Sequence, residues 1–248
     1  MGLFDIFKSK SNAEGGVKQP SDRELLRMQK LVSTKMSQNY DRQEAIDQLS
    51  KLGSAKSAAV LLKRFDWTME PSITDQEEKE SAARGIVAAG QAALEPIREH
   101  CRKAESLTWP LKTLKDIVAA EDYVDELLGI LDLFDTEYVR NAEPKIQLIT
   151  LLGDYPNEEV RIAVEPFLQD ASEPVRFAAV TTVFAVNDPA SLPSLIAALA
   201  DEESLRVRNR IAQCLTDRQW ELPEALVESC AEALPPDFNL ADRVVRRS

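Results

Sequence analysis

The sequence predicts an all-α fold, an α-solenoid of about six stacked helix pairs preceded by a capping helix. Three observations carry that reading. The stretch from Asp135 to Ala200 holds two tandem copies of one pattern: an acidic turn, Val-Arg, an apolar helix, a short turn with Gly or Asn-Asp, and a second apolar helix. Within those copies the apolar residues recur at helical spacing. The residues that close successive first helices, Gly53, Gly90, Ala120, Gly153, Val186 and Leu215, stand 37, 30, 33, 33 and 29 residues apart. An interval of this size marks a repeat array, in which each helix pair buries its apolar face only against its neighbours.

Taken in order, the chain opens on MGLFDIFKSK, residues 1–10, where Leu3, Phe4, Ile6 and Phe7 are apolar and Lys8 and Lys10 stand beside them. As a helix this segment fits a membrane interface or a partner's groove. The myristoylation pattern wants Ser or Thr at position 6, which here is Ile6. Gly15, Gly16 and Pro20 among polar residues read as a flexible linker, so residues 1–20 form a tail of their own. Ser21 followed by Glu24 is a capping box. It opens a helix with Leu25, Met28, Leu31 and Val32 on one side, and residues 21–39 are expected to cap the first repeat. The repeats occupy residues 40–236. Trp67 and Met69, in the long loop from Asp66 to Gln76, are candidate anchors for a partner.

The later repeats are the clearest. Val175, Ala179, Thr182, Val183 and Val186 share one helical face; Asn187-Asp188-Pro189 then breaks the helix, with Asp188 placed to cap the next. Leu192, Leu195, Ile196 and Leu199 form the second apolar face. Residues 237–248, with Arg243, Arg246 and Arg247, read as a basic tail. Arg176 and Arg208 follow a Val at the start of their helices, where the helix dipole disfavours a cation. They are expected to reach acidic or carbonyl groups in a neighbouring turn, with Asp170, Asp188 and Asp201 as the candidate acids.

The run Leu168, Asp170, Val175, Arg176, repeated as Leu199, Asp201, Val207, Arg208, resembles the short HEAT-like repeats of the phycobilisome-lyase class. An Ala-rich first helix and a Leu-rich second helix fit the same resemblance. It is strong from Asp135 to Pro235 and weaker from Tyr40 to Phe134, where no Val-Arg pair occurs. The resemblance implies a right-handed solenoid whose second helices line a concave side. It also implies a scaffold or adaptor that binds proteins, or, in the alternative, a lyase or isomerase subunit working on a protein-bound pigment.

Charge points to the kind of partner. Asp116 to Val139 carries eight carboxylates and no Lys or Arg. On the second helices Glu95, Glu99, Asp122, Asp125, Glu126, Glu158, Glu159, Glu165, Glu224 and Glu228 face few cations besides Arg98, Arg102 and Arg161. The expected partner is therefore a protein with a basic or amphipathic element, and Glu121, Asp122, Asp125, Glu126, Glu158, Glu159, Glu165 and Trp67 are the candidate contacts. The chain carries −12 in all, and residues 36–248 carry −15, which argues against nucleic acid.

Catalytic constellations are thin. There is one histidine, His100, and its neighbour Cys101 points about 100° away on a helix, so the two form no reactive pair. Cys214 and Cys230 sit at apolar positions. There is no phosphate loop and no nucleophile elbow. No cofactor, no metal and no enzyme activity are expected. Three cysteines without close spacing, no membrane span and no signal peptide place the expectation in the cytoplasm, with residues 1–10 giving a weak membrane contact as a second reading.

Overall fold

The computed structural model describes residues 20–248; the apolar positions Leu3, Phe4, Ile6 and Phe7 lie outside them. Among the described residues 68% are helical, in 13 α-helices and short 3-10 turns, and the all-α reading holds. Two compact units divide between Ala89 and Gly90.

The first unit contains α1 (Asp22–Val32), α2 (Asn39–Leu52), α3 (Ala55–Leu62), a 3-10 turn (Lys63–Asp66) and α4 (Ser72–Ala88). Ser21 caps α1 as its sequence dictates: the hydroxyl accepts from Glu24 N–H, and the Glu24 carboxylate accepts from Ser21 N–H at 2.7 Å. Met28 and Val32 turn inward from α1. Ile46, Leu49, Leu61, Leu62 and Ile86 are fully buried and form the core. α4 crosses this core at Gly85, where an added Cβ would lie 2.1 Å from Ser50 Oγ, so only glycine allows the approach.

The second unit runs through a 3-10 turn (Gly90–Ala93), α5 (Leu94–Cys101), α6 (Thr108–Lys115), α7 (Tyr123–Leu131), α8 (Glu143–Leu152), α9 (Glu158–Val164) and a 3-10 turn (Glu165–Gln169). It continues with α10 (Glu173–Val186), a 3-10 turn (Pro189–Ser191), α11 (Leu192–Asp201), α12 (Leu205–Arg218) and α13 (Glu224–Ala233). α8, α10 and α12 pack side by side in one layer; α7, α9 with the turn after it, α11 and α13 follow one another in a second. This layering is that of a solenoid. Val175, Ala179, Thr182 and Val183 are buried from α10, and Leu192, Leu195, Ile196 and Leu199 from α11, as the spacing predicts. Asn187 takes the left-handed conformation that ends α10, and the Asp188 carboxylate accepts from Ala190 N–H at 2.9 Å.

Two local expectations shift. The helix expected to run to Ala120 stops at Lys115, where the ladder tightens into i−3 bonds from Asp116 N–H and Ile117 N–H. The first Val-Arg pair, Val139-Arg140, precedes α8 instead of opening it, and Val160-Arg161 lies within the second-layer helix α9.

The segment read as a basic tail forms an antiparallel hairpin, β1 (Phe238–Ala241) with β2 (Val244–Arg247). Asp242 and Arg243 both take positive φ, the geometry of a two-residue hairpin turn. Val245 is buried, β2 packs on α12, and Leu222 N–H donates to Arg243 O at 2.8 Å. The paired apolar residues Leu240 and Val245 hold the segment on the body despite its arginines.

Candidate functional site

The candidate acidic positions lie on α7, on α9 and in the turns beside them. Glu121 and Asp122 lie in the turn before α7, Asp125 on its first turn, and Glu158 and Glu159 on the first turn of α9; all five are exposed. Part of their placement serves the helices themselves, since carboxylates near a helix N-terminus are favoured by its dipole.

Cations on this side are already committed. Arg98 Nη2 reaches both Glu126 oxygens at 2.7 Å, tying α5 to α7, and this pairing raises the Arg98 pKa. Arg161 holds Glu165 at 2.9 Å and Asp188 at 2.9 Å, with Glu158 at 3.4 Å, and Ser194 Oγ donates to Glu165 at 2.9 Å. Arg161 therefore stitches α9 to the turns before and into α11. The Glu165 hydrogen bond heads the causes that raise its pKa. Of the candidate contacts, Glu126 and Glu165 are thus inward clamps. Among the described residues no ion pair engages Glu121, Asp122, Asp125 or Glu159.

Ile162 is 56% exposed on α9, between the carboxylates of Glu158, Glu159 and Glu165. In the sequence it sits in the run Val160-Arg161-Ile162-Ala163-Val164 and reads as core. Only α9's rotation shows that Val160 and Val164, four apart, face inward and that Ile162 faces out.

Trp67 is half-buried and turned back onto its own unit. Its Nε1–H donates to Val32 O at 3.1 Å, and the guanidinium carbons of Arg64 and Arg42 stand 3.8 and 5.2 Å from its ring centroid. Beneath it lies a knot of buried charge. Glu78 accepts from Arg42 Nη2 at 2.9 Å and Arg64 Nε at 2.8 Å, while Asp75 accepts from Arg64 at 2.7 Å and Lys79 at 2.7 Å. Burial pushes the Asp75 carboxyl up, but Lys79 and Arg64 outweigh it and hold the group below the ordinary carboxylate range.

In the second unit Arg176 meets Glu202 through two 2.7 Å bonds and the Asp170 carbonyl at 2.9 Å. The expected Asp201 is exposed, and Glu202, one residue on, is the inward acid at the end of α11. Burial works to raise the Glu202 carboxyl; the Arg176 bond and Ser204 N–H hold it low. Asp170 and Asp188 serve other cations, Lys145 at 2.8 Å and Arg161 at 2.9 Å. Arg208 finds a carbonyl, Ala233 O, at 2.6 Å.

The thiols are poor nucleophiles: Cys101, Cys214 and Cys230 are buried, and burial pushes Cys101 up to about 12 and Cys230 up to about 11. Among the described residues no group of His, Cys, Asp and Glu is arranged to hold a metal ion, and no helix is long and apolar enough to cross a membrane.

No curated protein matches the chain. The family of HEAT repeats matches residues 138–216, the stretch from the turn before α8 into α12.

Proposed function

We propose that the protein is a non-catalytic binding scaffold. Its acidic second-helix side, in the Gly90–Ser248 unit, receives a protein partner that presents a basic or basic-amphipathic element. One observation carries the reading: of the cations of that side Arg98 and Arg161 are paired with Glu126, Glu165 and Asp188, and Arg102 stands 3.7 Å from Glu99, while Glu121, Asp122, Asp125 and Glu159 stay exposed and outside any ion pair. A surface of one sign draws an opposite-sign partner and rejects phosphate backbones. Lys or Arg side chains of the partner would meet Asp122 and Asp125 on α7 and Glu159 on α9, and an apolar residue would cover Ile162. HEAT repeats over residues 138–216 support a protein partner, since stacked repeats present extended surfaces for one. Three buried free thiols fit a reducing compartment.

The test is salt-resolved capture. Immobilised full-length protein is expected to retain its partner at about 0.1 M salt and release it at about 0.5 M, where surface charges are screened within a few ångströms. Retention undiminished at 0.5 M would contradict a charge-led contact.

A further inference from the structure

A second surface lies in the N-terminal unit and is independent of the reading above. Between α1 and α2 is a cleft of about 310 Å3. Met28 and Ala45, both buried, and half-buried Leu31 form its floor. The exposed carboxylates of Glu24, Asp41 and Glu44 line its sides, with Arg27 as the one cation among the lining residues. The volume falls at the low end of the ~300–1,000 Å3 of ligand pockets.

Two facts select an occupant. Pro20, the first described residue, itself lines the cleft, close to the chain that precedes it in sequence. Upstream stand Leu3, Phe4, Ile6 and Phe7, followed by Lys8 and Lys10, with Asp5 as the only acid of that stretch. Its chemistry complements the cleft, apolar side chains for the floor and ammonium groups for the carboxylates. The interval from Phe7 to Pro20 can span up to ~45 Å when extended, whereas an 11-residue helix such as α1 is ~16 Å long. Gly15 and Gly16 within that interval permit the chain to reverse.

We propose that this cleft seats the chain's own Leu3–Lys10 segment. The apolar side chains pack on Met28, Leu31 and Ala45, and Lys8 and Lys10 turn toward Asp41 and Glu44. The segment is then an intramolecular latch on α1 and α2.

Methionine methyl spectra of the full chain test this, because Met28 lines the cleft while Met36 is 84% exposed and Met69 Sδ lies 3.1 Å from Arg42. Phe4→Leu with Phe7→Leu removes two aromatic rings and keeps the apolar volume. Leu3→Glu with Phe7→Glu expels the segment. Both variants are expected to move the Met28 resonance by more than its line width and to leave Met36 and Met69 in place. Dilution of the parent protein is expected to change nothing. An unmoved Met28 in both variants would overturn the proposal. So would a Met28 position that tracks protein concentration, which assigns the cleft to a second copy. If Met28 is unmoved while phosphatidylserine vesicles bind the parent and not the Leu3→Glu, Phe7→Glu variant, the segment belongs to a lipid surface instead.

Discussion

The two units handle the same internal charge differently. In Gly90–Ser248, a cation in the first turn of each first-layer helix reaches a group about one helix pair further on. Lys145 of α8 meets Asp170 at a separation of 25 residues, Arg176 of α10 meets Glu202 at 26, and Arg208 of α12 meets the Ala233 carbonyl at 25. In the N-terminal unit Arg42 holds the corresponding place, the fourth residue of α2, and 25 residues on stands Trp67, whose ring lies 5.2 Å from the guanidinium. An aromatic face cannot neutralise a guanidinium that is fully buried. Glu78 of α4 does so instead, in a cluster where Arg42, Arg64 and Lys79 share the two carboxylates of Glu78 and Asp75. The slot is shared; the chemistry that fills it is not. One unit spreads its buried charge one pair per repeat, the other collects it in a single knot.

The largest effect is expected at that knot. Glu78→Gln leaves two fully buried arginines sharing one neutral partner, and should lower stability to urea by about 3–5 kcal/mol. A loss below about 1 kcal/mol would mean that Asp75 alone can balance the knot. Lys145→Met breaks a single rung. Asp170 keeps the Ser172 N–H at 2.8 Å, so the expected loss is smaller, about 3 kcal/mol. If it equals or exceeds that of Glu78→Gln, concentrating charge confers no added vulnerability.

Arg176→Ala sharpens the comparison through pH. The side chain is partly exposed, and its removal should cost about 1.5–3 kcal/mol near neutrality. Glu202 has a depressed pKa when folded, so the stability it contributes is present above its unfolded value and is lost as pH falls through the folded value. Acid urea titrations should therefore show the parent losing stability with falling pH more steeply than Arg176→Ala. Parallel curves would exclude the pair as the source.

The repeat was legible from Asp135 onward because periodic apolar residues and the Asn187-Asp188-Pro189 breaker act locally, although only α10 fills this slot with Val-Arg and an acid. It was faint before Phe134, where no Val-Arg pair occurs and Trp67 stands 25 residues after Arg42. Three features were not legible. Glu202 rather than Asp201 pairs with Arg176 because the end of α11 rotates it inward. Glu126 is a clamp because Arg98, 28 residues away, finds it. The hairpin follows from the burial of Val245 on α12, a contact that a count of terminal arginines conceals.

The smallest expected change in stability belongs to the surface on which the proposed function rests. The variant Asp122→Lys, Asp125→Lys, Glu159→Lys spares Glu126 and Glu165, whose reversal would place lysines against Arg98 and Arg161. It removes only helix-terminus effects of about 0.3–1 kcal/mol per site. Side by side, parent and variant should give the same helical circular dichroism at about 0.1 M salt, while the variant captures none of the partner that the parent retains. Equal capture by a variant that is equally folded would contradict the account: the acidic second-helix side would not be the binding surface.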